Sequence, residues 1–196
     1  MSAYTTDELR AIGFSRCGDH VHISRKASFY RPERIAIGHH VRIDDFCVLS
    51  AGEGGIEIGN YVHIAISSSL IGAGRIVLSD FSNVSARVSI FSSNDDYSGE
   101  HMTNPMVPTR FTGVVHADVT IGRHVIVGAG SVILPGVILE EGVAVGALSL
   151  VKNHCESFCI YGGAPARRIG QRKRTLLELE HELLQGLRKP RDDVSE

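Results

Sequence analysis

The sequence predicts an all-β solenoid, a parallel β-helix of about six triangular coils, on three observations. First, apolar residues recur every six positions: Ile37, Ile43, Leu49; Ile58, Ile64, Leu70; Leu78, Val84, Ile90; Ile121, Val127, Ile133; Leu139, Val145, Val151. Second, a small or β-branched residue often follows four places later, as at Val41, Cys47, Val62, Ser68, Ser82, Val88, Val125, Ser131, Val137, Val143 and Ser149. Third, tryptophan is absent and 21 glycines are spread without a low-complexity tract. A period of six matches neither a 3.6-residue helix nor a two-residue strand alternation. It matches short strands joined by tight corners, where one side chain in six stacks inward on its equivalent a coil away and small residues let the backbone turn.

In chain order, Thr5 and Glu8 make a capping-box pattern ahead of a short helix, a cap over residues 1–14. The first coil is irregular, with Cys17, Ile23 and Phe29 in register. Extra residues in AGEGG (51–55) and GAGR (72–75) are expected to bulge at one corner. The register stops at Phe91 and resumes near Thr120, across a polar, turn-rich segment. This is a long loop after the fourth coil, spanning 91–120, and such an excursion from a compact solenoid is more often functional than decorative. The β-helix as a whole is expected over 15–170. In RKRTLLELEHELLQGL, Leu176, Leu177, Leu179, Leu183 and Leu184 fall at helical spacing, with Gly186 and Pro190 expected to close the helix. A C-terminal helix and tail therefore fill 171–196, and both helices serve to cover solenoid ends or to contact other subunits.

A net charge of −2 and a pI near 6.5 give no global field toward nucleic acid. The N-terminus lacks the basic and apolar regions of a signal peptide, and no apolar run reaches the roughly 18–20 residues that span a bilayer. Cys17, Cys47, Cys155 and Cys159 have neither zinc-finger nor redox spacing and are expected to be reduced. The expected location is cytoplasmic.

The repeats IGRHVIVGAGSVILPGVILEEGVAVGALSLV and the closing YGGAPARRI resemble the hexapeptide-repeat (left-handed β-helix) acyltransferases over residues 15–172. The stretch NDDYSGEHMTNPMVP is similar to galactoside, maltose and surface-polysaccharide sugar O-acetyltransferases. The resemblance implies a left-handed helix and a homotrimer. It places acetyl-CoA as co-substrate in the cleft between neighbouring coils and a sugar acceptor under the long loop. The implied activity is acetyl transfer to a sugar hydroxyl, in lipopolysaccharide or other glycoside modification. The alternative is N-acetylation of a nucleotide-linked amino sugar.

Transfer to a hydroxyl needs a base, oxyanion donors and aligned substrates. The family's basic histidine stands five places after the last apolar coil position; here that place holds Asp95. A free aspartate is a weak base. His63, where the galactoside enzymes carry an active-site tyrosine, is therefore the expected general base, with Asp95 or Asp96 orienting its ring. His101 is the next candidate. Asn83, in the same column as His63, is expected to contact the acceptor together with Asn94 and Tyr97. For the cofactor, Ala129 and Ala147 match the family's small groove residues. Lys152 and Asn153 stand where a Thr-Lys pair is usual, the lysine displaced by one. Arg167 and Arg168 begin a basic run with Arg172, Lys173 and Arg174 that suits nucleotide phosphates.

Two other classes use such a solenoid. A γ-type carbonic anhydrase binds zinc with histidines, two of them five residues apart, and none of the ten histidines here has that spacing, so no metal is expected. A non-catalytic assembly module would lack the cofactor column. A neutral amine is already nucleophilic, so Asp95 keeps the amino-sugar alternative open.

Overall fold

The computed structural model describes residues 2–188. Eighteen parallel strand segments wind into three flat faces of a triangular prism. The first face stacks Arg16–Cys17, Ile35–Ile37, Ile56–Ile58, Ile76–Leu78, Val119–Ile121 and Ile138–Leu139. The second stacks His22–Ile23, Arg42–Ile43, His63–Ile64, Asn83–Val84, Ile126–Val127 and Ala144–Val145. The third stacks Ser28–Tyr30, Val48–Ala51, Ser69–Gly72, Ser89–Phe91, Val132–Ile133 and Leu150–Val151. Six complete coils result, and Cys159–Gly162 begins a seventh on the second face before folding back against Arg167–Gln171.

The six-residue register is the core. Sixteen of its eighteen apolar positions are at most 3% exposed, Cys17 and Phe29 of the irregular first coil being the exceptions. The second series is buried as well, from Val41 to Ser149. Three of its serines satisfy their hydroxyls inside the corner: Ser68 donates to the Ser85 carbonyl, and Ser131 and Ser149 to that of Gly146; the buried Ser82 hydroxyl has no partner among the described residues. Each buried aliphatic side chain removes apolar surface from water worth about 1.5–3 kcal/mol.

The corners need left-handed backbone, and not only glycine supplies it. His20, His40, Tyr61, Phe81 and His124 have φ of 56–60° and stack as a ladder, ring centroids 4.5–5.0 Å apart, at the corner between first and second faces. The extra residues of 51–55 and 72–75 bulge together at the corner between third and first faces, where Gly52 and Gly54 donate to the Gly72 and Ala73 carbonyls. The long loop leaves from the same corner, tied at its base by Ser93–Asn94 pairing with Val115–His116.

Helix α1 (Thr6–Ile12) has the expected reciprocal cap between Thr5 and Glu8, and Glu8 also binds Arg25. Helix α2 (Leu176–Arg188) runs through Gly186 instead of stopping there. Pro190 and the expected tail, 189–196, lie outside the described residues. Glu180 anchors α2 to Arg123 and His124 at the end of the aromatic ladder.

Candidate active site

Strand alternation turns Ile43, Ile64 and Val84 inward on the second face and leaves their neighbours outside. Register places His63 beside Arg42 on one coil and Asn83 on the next. The result is a polar cluster across three coils. His63 Nε2 lies 2.9 Å from Asp44 Oδ2, and Nδ1 lies 3.2 Å from Asn83 Oδ1. Arg42 Nε donates to the other Asp44 oxygen at 2.7 Å. Asp44 is only 8% exposed. Burial works to raise its pKa, but the hydrogen bonds from His63 and Arg42 outweigh it and hold the carboxyl below its ordinary value.

Within the chain both ring nitrogens of His63 are engaged, one by Asp44 and one by Asn83. Asp44 accepts from Nε2–H, and Nδ1 meets the Asn83 side-chain amide, so the ring holds Asn83 in place on the second face. The carboxylate bonded to the ring within the chain is Asp44; Asp95 and Asp96 of the same chain make no hydrogen bond to it. Asp96 instead accepts from the backbone of Ser98 and His101, with the His101 ring 3.4 Å away. Those bonds pull its pKa down to about 2, so Asp96 and His101 both hold the loop's shape.

Asp95 makes no hydrogen bond or ion pair among the described residues. It opens on a cleft of about 690 Å³ beneath the loop, with Ser93, Asn104, Thr109 and Thr112. Asn94 sits in the strand pair at the loop's base, and Tyr97 is 87% exposed at its tip.

Ser85 was missed in the sequence. It follows Asn83 on the outer side of the second face, and its hydroxyl has no partner among the described residues. The signal was its column: Ser85 continues downward into Gly128 and Gly146, one residue before Ala129 and Ala147. These residues line the corner after the second face with almost no side chain. Gly128 is required, because a Cβ there would lie 2.4 Å from the Ala147 nitrogen. A smooth track thus leads from the C-terminal coils to Ser85.

At the C-terminal end, Lys152, Asn153, Arg167 and Arg168 come together around a cleft of about 150 Å³. Arg168 pairs with Glu156, whereas Arg167 forms no ion pair among the described residues. The rest of the basic run is partly structural. Arg172 donates to the carbonyls of His124, Gly142 and Val143, and Arg174 lies over the Phe158 ring. Among the described residues there is no cluster of three or more His, Cys, Asp or Glu able to hold a metal ion, and no helix is long and apolar enough to cross a membrane.

No protein-family model matches the chain. It is 56% identical over 173 residues to the dTDP-4-amino-4,6-dideoxy-D-glucose acyltransferase of Escherichia coli, covering 88% of this chain and 90% of the relative. The structure superposes with a TM-score of 0.91, at 44% identity, on the N-acyltransferase AntD of Bacillus cereus, solved with dTDP-4-amino-4,6-dideoxyglucose and coenzyme A; 94% of this chain and 98% of that one are covered. An Escherichia coli protein named for O-acetyl transfer in lipopolysaccharide biosynthesis, WbbJ, is 30% identical over 58% of this chain and 56% of its own length. The relatives that span nearly the whole chain are thus named for amino sugars, and they favour the amine alternative over the expected hydroxyl.

Proposed function

The chain belongs to the left-handed β-helix (hexapeptide-repeat) acyltransferases, and from that premise we propose that it transfers an acyl group from a CoA thioester to the 4-amino group of dTDP-4-amino-4,6-dideoxyglucose. One observation carries this reading. The solved AntD variants replace a serine and an aspartate ten residues apart, and Ser85 and Asp95 are the only serine and following aspartate with that separation in this chain.

The amine nitrogen attacks the thioester carbon, the C–N bond forms, the C–S bond breaks and the thiolate of CoA leaves. The attacking nitrogen becomes a strong acid as it bonds to carbon, so a carboxylate suffices to remove its proton. Asp95 takes that proton, which then passes to the departing sulfur or to solvent. Ser85 donates to the carbonyl oxygen as negative charge develops there. His63 and Asp44 position Asn83. The pantetheine arm follows the Gly128–Ala129 and Gly146–Ala147 track, and Arg167, with Lys152, Asn153 and Arg168, receives the nucleotide end. A hydroxyl acceptor would need a stronger base than Asp95, which separates the two readings chemically.

Ser85 follows the second-face strand, and Asp95 stands in the loop beyond the third-face strand Ser89–Phe91. A homotrimer, in which the loop of one chain reaches the second face of its neighbour, would bring the two to one substrate. Four free cysteines and a CoA substrate suit the cytoplasm.

The test measures thiol release with acyl-CoA and paired acceptors, dTDP-4-amino-4,6-dideoxyglucose and its 4-hydroxy counterpart. Turnover with the amine alone is expected; equal or faster turnover with the hydroxyl compound overturns the proposal.

A further inference from the structure

The small-residue track ends one coil beyond Ser85. At the corner after the second face, Ala147, Ala129, Ala86, Ile66 and Asp45 form one column. The amide that follows each of the first four donates to the carbonyl of the next: Leu148 to Ala129, Gly130 to Ala86, Arg87 to Ile66 and Ser67 to Asp45. Three alanines therefore give way to an isoleucine, and Ile66 is 43% exposed. Its neighbour Ala65 stands one coil beyond Ser85 and donates to the Val84 carbonyl, as Ser85 does to that of Val127. The inward position on this coil is filled by the fully buried Ile64, so the bulk of Ile66 adds to the outside of the corner.

Past Ile66 the surface becomes charged. Asp44 lies one coil beyond Ala65, as the pairing of Ile43 with Ile64 requires, and its oxygens are held by Arg42 and His63. Asp45 stands beyond Ile66, bound by Ser24 and Lys26. An apolar chain laid across these carboxylates would take them out of water without giving them a partner, which is costly. A thioester carbon is planar. In the proposed reaction the sulfur arrives from Gly128, the oxygen turns to Ser85 and the amine attacks across the plane. The remaining in-plane substituent, the acyl chain, is then directed onward to Ala65 and Ile66. Adjacent strands lie about 4.8 Å apart, little more than one carbon–carbon contact of about 3.5–4.0 Å. A methyl group fits in that space, and a longer chain meets Ile66.

We propose that Ile66 is a specificity-determining residue that limits the donor's acyl chain to about two carbons. A longer chain must either displace the Ile66 side chain or leave the track, and a single misfitting methylene is worth about 10–200-fold in discrimination. The assignment deepens the proposed reaction and rests on it for the direction of the thioester.

The test compares acetyl-CoA with butyryl-CoA on the full chain, for the wild type, Ile66→Val and Ile66→Ala. Affinities are read by calorimetry without acceptor, and kcat/KM with the amino sugar. Alanine already stands in this column on three coils, at Ala86, Ala129 and Ala147, so the corner keeps its shape in Ile66→Ala. The wild type is expected to favour acetyl-CoA at least tenfold by both measures. Ile66→Ala should bring the two donors within about threefold, Ile66→Val should fall between, and free CoA should bind all three proteins alike. A wild type that takes butyryl-CoA as readily as acetyl-CoA, or a ratio that Ile66→Ala leaves unchanged while the amino sugar is acylated, overturns the role of Ile66 and leaves the reaction standing. Affinities that shift as expected, with no amino sugar acylated, sink the reaction and keep Ile66. A wild type that binds neither thioester overturns both.

Discussion

His63 Nε2 donates to the buried carboxylate of Asp44 at 2.9 Å, and this bond, crossing from one coil to the coil before it, fixes the His63 ring on the second face. Asp44→Asn removes the anion while keeping the shape, so the His63–Asn83 contact loses its anchor. The expected outcome is a roughly tenfold fall in kcat with the KM for acyl-CoA unchanged, since the positioning of Asn83 beside Ser85 is lost and the cofactor track is untouched. Asp44→Glu should restore part of the rate. A matching rise in KM for acyl-CoA would assign Asp44 to binding instead.

Asp95→Asn keeps size and polarity but cannot take a proton. Loss of about 10²–10⁴-fold in kcat is expected, with dTDP affinity in calorimetry held. His63→Gln should cost far less, because glutamine can still hydrogen-bond Asn83. If His63→Gln is as severe as Asp95→Asn, His63 is the base after all.

Chains carrying Asp95→Ala and chains carrying Ser85→Ala should each be inactive alone. Denatured together and refolded, they are expected to regain about a quarter of wild-type activity, the share of sites in a cyclic trimer that draw an intact residue from each neighbour. No recovery in a mixed trimer verified by mass would place both residues in one chain's site.

Bulk on the small-residue track should act on the cofactor alone. Ala147→Phe is expected to raise the KM for acyl-CoA at least tenfold while dTDP titrates as in wild type. Arg167→Ala should weaken CoA severalfold and dephospho-CoA less. Unchanged CoA kinetics in Ala147→Phe would move the pantetheine arm to another corner.

The N-terminal cap should be acid-sensitive. Hydrogen bonds from the Arg25 side chain and from Thr5 lower the Glu8 pKa from 4.5 to about 2. A carboxyl depressed on folding stabilises fully above its unfolded pKa and loses that contribution as pH falls through the folded one. Melting temperature should therefore drop between about pH 4.5 and 2, and Glu8→Gln should flatten that part of the curve. An identical slope in the variant would show that Glu8 is unlinked to unfolding.

The fold was legible because inward stacking imposes one apolar residue in six, and Ile37, Ile64 and Val127 repeat that demand without exception. The loop was legible as a break in the count, and Asp95 as the residue standing where the family has its base. Asp44 was not legible as the partner of His63, although the signal existed: it follows Ile43 directly, and Ile43 is in register with Ile64. Reading it needed the columns aligned through coils of unequal length. Arg172 misled for a related reason. Its charge suited a phosphate, but the turn after Gln171 aims it at three backbone carbonyls.

By itself, the sequence determined the solenoid, its corners, the bulges and the place of the loop. These depend on residues near one another in the chain, where strand alternation and corner sterics act. Only the tertiary structure decided that His63 is held at both nitrogens, that Ser85 heads a bare track, and that Ile66 stands one coil beyond it. Those depend on residues about a coil apart that meet across the spacing between strands, a spacing that the linear period implies but whose side-chain pairs it leaves unassigned.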